Sequence, residues 1–157
     1  MPSAPSHDYS IRPARESDLD ALLALEQSAF TTDHLSRRQY RQHLHSRTAL
    51  VLAAVDNREL LGKAVVFYRR GSDIARLYSI AVGARARGRG VAKALLTAVE
   101  QASHMRGSRR LRLEVRQDNA AAITLYERAG YRRFAARAHY YEDGADAWRY
   151  EKALVVE

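Results

Sequence analysis

Cysteine is absent from the 157 residues. That excludes disulfides, zinc–thiolate sites, iron–sulfur clusters and a thiol nucleophile together, and it fits a reducing compartment. Long apolar runs are missing too. None approaches the roughly 20 residues that span a bilayer, and Met1–Ser10 is short and polar, without an apolar signal core. The expectation is a cytoplasmic protein with no membrane partner. Lysine occurs only at Lys63, Lys93 and Lys152, although Lys and Arg together number 26 against 18 acids, a formal net charge of +8. The positive charge is thus almost all arginine, whose planar fork of donors suits phosphate. Composition alone does not separate nucleic acid from a phosphorylated cofactor. The six histidines are scattered, with no metal-ligand spacing, so no metal site is expected.

What is present reads as one continuous unit, a single domain over residues 9–157 behind a loose tail at 1–8 that holds Pro2 and Pro5. Tyr9–Arg12 predicts a short strand. Ser17 precedes Leu19, Leu22, Leu23 and Glu26/Ala29/Phe30, a helical spacing with Ser17 as the N-cap. Ser36 with Gln39 forms a capping box for a second, basic helix. Ala49–Val55 and Leu60–Tyr68 predict a hairpin around Asp56-Asn57-Arg58-Glu59. Ile74–Val82 adds a third strand, with Leu77 and Ser79 on one face and Tyr78, Ile80 and Val82 on the other. Helices follow at Val91–Ala102 (stopped by Gly107) and around Ile123–Ala129 (closed by Gly130). Leu111–Val115, Tyr131–Ala135 and Ala147–Val155 complete the strands. The order β α α β β β α β α β β implies an α/β (α+β) fold: a mixed, mostly antiparallel sheet of about seven strands with helices on both faces.

The loop Gly83-Ala84-Arg85-Ala86-Arg87-Gly88-Arg89-Gly90-Val91-Ala92-Lys93 joins a strand to a helix. Glycines admit close backbone approach. The first helical turn leaves N–H groups without internal partners at the positive end of the dipole, a combination that binds phosphate. The loop lacks the Gly-Lys-Ser/Thr ending of a Walker A motif and the third glycine of the dinucleotide fingerprint. It resembles the pyrophosphate loop of the Gcn5-related N-acetyltransferases, Gln/Arg-x-x-Gly-x-Gly/Ala. Arg87-Gly88-Arg89-Gly90-Val91-Ala92 matches it, in preference to the register starting at Arg85. The element order fits the same family over about residues 9–154. The resemblance implies that acetyl-CoA lies in a V where the fourth and fifth strands splay. Its pantetheine would pair with the backbone of Ile80, Ala81 and Val82, and the acetyl carbonyl would face a backbone N–H near Ile80.

Glu114 stands between Leu113 and Val115 in a strand, where a lone carboxylate is costly unless paired or functional. Asn119 suits the N-cap of the next helix, and Tyr126 lies two turns into it. From the residues alone, Tyr126 fits a core tyrosine, Glu114 a partner of Arg112 or Arg116, and Arg116 a solvated side chain. The stretch 113–127 resembles the bacterial ribosomal-protein alanine N-acetyltransferases, which acetylate protein N-termini. That resemblance implies Glu114 as general base, directly or through water, Tyr126 as general acid on the coenzyme A sulfur, and Asn119 as a cofactor contact. Attack would be direct, in a ternary complex. It further implies that Tyr140, Tyr141 and Phe30 line the acceptor slot, with Glu142 or Asp143 holding a cationic amine. The loop Phe30–Ser36 departs from the Pro-Trp-Ser stretch usual there, and since that loop helps form the acceptor slot, the resemblance leaves open an acceptor different from the branch's own.

The expected activity is transfer of acetyl from acetyl-CoA to a primary amine, a peptide or protein N-terminal α-amine first and a lysine or small-molecule amine second. The protein's own positive charge disfavours polyamines and, more weakly, basic ribosomal proteins. An arginine-rich nucleic-acid domain explains the charge but neither Gly88-x-Gly90 at a helix start nor Glu114 in a strand, so a nucleic-acid partner is not expected. A regulatory module that binds coenzyme A without turnover is the third alternative. A monomer or homodimer is expected.

Overall fold

The computed structural model describes residues 8–57 and 59–154. Within them lie β1 (Ser10–Pro13), α1 (Leu19–Ala29), α2 (Arg37–His45), β2 (Ala49–Asp56), β3 (Glu59–Phe67), β4 (Ile74–Val82), α3 (Val91–Met105), β5 (Arg110–Arg116), α4 (Ala120–Arg128), β6 (Arg132–Arg137) and β7 (Ala147–Ala153). The order of elements is the one the sequence predicts. Of the expected tail only Asp8 falls among the described residues, and Arg58 of the expected turn and Val155 of the expected last strand fall outside them.

The seven strands form one sheet in the order β1-β2-β3-β4-β5-β7-β6, and only β4 and β5 run parallel. Sheet alternation sorts the core. Leu52, Ala54, Ala64 and Val66 face the large cluster with Val91, Leu95 and Val99 of α3. Val51 and Val65 face the smaller one with Leu19, Leu22, Leu35 and Tyr40. The middle strands are covered on both faces, which is why β2 and β3 read as near-continuous aliphatic runs.

Two expectations change. Ser17 does not cap α1. The Asp18 carboxylate accepts the Arg15 N–H at 2.7 Å and a charge-assisted bond from Arg12, also at 2.7 Å. This winds Glu16–Asp18 into a 3-10 turn that runs into the helix, with Ser17 inside it. In β4 the simple alternation fails. Val65 pairs with Ser79 but Val66 pairs with Leu77, so Tyr78 is the extra residue of a bulge. A bulge shifts the pleat by one residue. Leu77 therefore joins the α3-side core, whereas Ser79 faces α1.

Candidate active site

β4 and β5 pair only from Ile74↔Arg110 to Leu77↔Leu113. Beyond that point they diverge, where the Tyr78 bulge adds local twist. The gap opens into a cavity of about 610 Å³ whose walls include Phe30, Ile80, Glu114, Asn119, Tyr126, Tyr140 and Tyr141. The structure thus brings together most residues singled out from the sequence. Ala81 and Val82 continue β4 toward the glycine loop.

At the loop, Gly88 and Gly90 hold positive φ values of 81° and 76°, and a Cβ built on either meets no atom within 4 Å. The first helical hydrogen bond of α3 runs from the Ala94 N–H to the Gly90 carbonyl. The N–H groups of Val91, Ala92 and Lys93 lie ahead of that ladder, and Gly90 offers no side chain to cap them. This donor set fits a diphosphate. Arg87 is exposed beside it. Arg89 turns away to Asp56 (3.4 Å), so what it brings to the loop is backbone.

Tyr126 is buried and packs edge-on against Tyr131, and its hydroxyl makes no hydrogen bond among the described residues. Burial pushes its phenol well above the ordinary value near 10, so it carries its proton at neutral pH. Asn119 Oδ1 caps α4 by accepting the Ala122 N–H at 3.1 Å, which leaves its amide N–H groups for a ligand.

Glu114 is partnered, though not by the arginines expected. With its side chain 4% exposed, it accepts from Arg76 at 2.7 Å and from Arg149 at 3.1 Å. Arg149 is its cross-strand neighbour on β7. Arg76 lies on β4 and also donates to the Tyr140 hydroxyl, which in turn donates to Glu114 at 3.3 Å. Arg112 instead pairs with Glu151. Arg116 keeps 30% of its side chain exposed, yet it is not free: it grips Asp143 through two bonds, at 3.2 and 2.8 Å, and covers the Tyr141 ring. That pairing holds the Asp143 carboxyl below the usual range and engages it away from any amine. Glu142 is also engaged. Its carboxylate accepts the Asp33 N–H, and its own N–H donates to the Asp33 carboxylate, clasping the α1–α2 loop to the β6–β7 loop.

Sequence reasoning missed a second buried charge cluster. Glu26 and Lys63 are 2% and 0% exposed and pair at 2.5 Å. Glu26 also accepts from the Tyr40 hydroxyl and the Leu35 N–H, and Lys63 also donates to Ser79. Burial drives the Lys63 ammonium down, against the pull of Glu26. Glu26, Ser79 and Tyr78 line the cavity on its α1 side. The available signal was a charged residue inside an aliphatic strand, the same one that marked Glu114.

A splayed mixed sheet, a glycine-started helix for a diphosphate, and a phenol beside a carboxylate in the cleft define an acyltransferase that uses a coenzyme A thioester. Residues 19–131 match the family model described as Acetyltransferase (GNAT) family, so the chain belongs to that family. It is 31% identical over 118 residues to N-alpha-acetyltransferase 30 of Schizosaccharomyces pombe, covering 73% of this chain and 79% of that one. It is 30% identical to an N-alpha-acetyltransferase of Sulfurisphaera tokodaii, covering 90% of each. The ribosomal-protein-S18-alanine N-acetyltransferase of Escherichia coli superimposes with a TM-score of 0.83 at 29% identity, covering 95% of this chain and 96% of that one. The protein is an acetyl-CoA-dependent N-acetyltransferase that delivers acetyl to an amine. No described helix is long and apolar enough to cross a membrane, and among the described residues no group of three or more His, Asp or Glu is arranged to hold a metal ion.

Proposed function

We propose that the acceptor is the α-amine at the N-terminus of a peptide or protein, acetylated in the cytoplasm by direct attack on acetyl-CoA. The observation that carries this reading is the cleft itself. The β4–β5 gap admits the thioester from one side, while Phe30, Tyr140 and Tyr141, under the Asp33–Glu142 clasp, wall a slot on the other. Ile80, Ala81 and Val82 pair with pantetheine. The N–H groups of Val91, Ala92 and Lys93, with Arg87, Gly88, Arg89 and Gly90, cradle the diphosphate, and Asn119 adds an amide contact.

The chemistry then divides between two groups. The acceptor amine loses its proton toward Glu114, which it reaches across the Tyr140 hydroxyl or a water. The departing sulfur takes a proton from Tyr126. Both Glu114 oxygens already accept arginine N–H groups, so an arriving proton has to share one of them. Such a base suits an amine that needs little help. An α-amine titrates near 8 and a lysine ε-amine near 10.4, which favours the N-terminus over a lysine side chain. The relatives, named as N-alpha-acetyltransferases or as an alanine N-acetyltransferase of a ribosomal protein, support the same choice.

A mixed library of N-terminal peptides incubated with acetyl-CoA, read by mass shift, tests the reading: acetyl on α-amines supports it, and acetyl only on lysine side chains or free small amines overturns it. Tyr126→Phe lowers kcat by about 100-fold while coenzyme A binding, measured by calorimetry, stays intact. Loss of binding in place of turnover would remove Tyr126 from the acid role.

A further inference from the structure

Lys63 lies mid-strand in β3 on the face toward α1, fully enclosed. Its Nζ donates to Glu26 Oε1 at 2.5 Å and to Ser79 Oγ at 2.6 Å. Three donors converge on the Glu26 carboxylate: Lys63, the Tyr40 hydroxyl at 2.6 Å and the Leu35 N–H at 3.0 Å. The rings of Phe30 and Tyr40 stand 5.3 and 5.5 Å from Nζ and keep water off it. Facing that carboxylate as an ammonium, Lys63 has donors only.

This constrains the hydroxyl of Ser79. A serine hydroxyl has two lone pairs and a single hydrogen. Ser79 accepts from Lys63, so its hydrogen points elsewhere, and among the described residues it donates to no protein group. Ser79 is part-exposed and lines the cavity next to Glu26 and Tyr78. Its hydroxyl therefore presents a donor to the slot, strengthened by the cation behind it. The Tyr78 bulge turned it there; in a regular strand it would share the face of Leu77.

We propose that Ser79, oriented by Lys63, donates a hydrogen bond to the carbonyl oxygen of the acceptor's first residue, which makes an amine carrying a carbonyl group on its α-carbon the substrate class of this slot. The inference rests on the N-terminal reading above. The thioester carbonyl is the other acceptor in reach; in the reading above it runs along the β4 edge toward the Ile80 backbone, whereas the Ser79 side chain faces α1 with Lys63 and Glu26. An alkylamine or a lysine ε-amine has no carbonyl at that distance. Leaving a hydroxyl in the slot unpaired penalises such amines. Lys63 is a positioning residue and touches no substrate.

The test takes a tripeptide amide that begins with the first residue favoured in the peptide library and compares it with its isostere in which a trans-alkene replaces the first peptide bond. The wild-type protein prefers the amide in kcat/KM by about tenfold. In Ser79→Ala that preference falls to near parity, through the KM of the acceptor and not that of acetyl-CoA. Lys63→Met loses the preference too, because the freed Ser79 hydroxyl turns to Glu26. The preference is a ratio within one preparation, so partial unfolding cancels from it. Ser79→Thr, which keeps the hydroxyl, retains it. A Ser79→Ala protein that keeps the wild-type preference overturns the inference, and so does one that slows both acceptors alike, which would assign Ser79 to the thioester. A wild-type protein that acetylates no α-amine of the peptide library overturns the N-terminal reading, and this inference with it.

Discussion

A carboxylate in an apolar setting is the most informative residue type in this chain, and it occurs twice. Glu114 was conspicuous between Leu113 and Val115. Its partners were not, because Arg76 is 38 residues away in sequence and Arg149 is 35. Glu26 escaped notice, since it sits on the apolar stripe of α1 at a helical spacing. Its partner Lys63 lies 37 residues on, in a strand. Side-chain chemistry can announce that a partner must exist, but only the fold says which one. Removing one member of such a pair costs far more than removing both. Lys63→Met leaves Glu26 buried with neutral donors alone and is expected to cost about 3–5 kcal/mol. The double variant Lys63→Met/Glu26→Gln recovers most of that loss. Urea unfolding of the two proteins decides the matter; a double variant no more stable than Lys63→Met would mean that the uncompensated Glu26 charge is not the source of the loss.

Helices and strands were legible where local rules act alone. The Ser36–Gln39 capping box and the Asn119 cap stand as the sequence predicts. Ser17 failed because Asp18 competes for the same turn, and the β4 alternation failed because a bulge is decided by the partner strand. Two glycines show how element and tertiary context differ. Gly90, at the start of α3, has open space where a Cβ would go, yet a φ of 76°. Gly62, in β3, has an ordinary φ, but its Cβ would meet the Ala81 carbonyl at 2.9 Å and side chains of Leu95 and Val91 at 3.1 and 3.2 Å. Gly90→Ala is expected to cost about 1 kcal/mol of stability from backbone strain and to weaken coenzyme A binding. Gly62→Ala costs about 1–3 kcal/mol from overpacking between sheet and α3, with a larger fall in Tm than Gly90→Ala. Thermal melts with and without coenzyme A separate the two. The same ranking of coenzyme A affinity and Tm in both proteins would contradict this division.

Across the whole molecule, tyrosine is the dominant titrating element above neutrality. Burial pushes the phenols of Tyr40, Tyr78, Tyr126, Tyr131, Tyr140, Tyr141 and Tyr150 upward from 10.0. The folded chain keeps these protons where the unfolded chain releases them. Stability from this source is complete below pH 10 and declines as pH rises beyond it, since the unfolded state then binds fewer protons. Alkaline titration is expected to show phenolate absorbance rising together with loss of the far-UV circular dichroism. Most of the absorbance appearing while the dichroism is intact would contradict the burial of these rings. The sequence by itself determined the order of the elements, the glycine-started helix and the carboxylate–phenol spacing, because hydrophobic period, capping and turn chemistry are local. Only the tertiary structure decided the β4 bulge, the Arg76–Glu114–Arg149 clamp, the Lys63–Glu26–Ser79 cluster and the Asp33–Glu142 clasp. Each joins residues from different elements, and their pairing follows from register and packing that no single segment encodes.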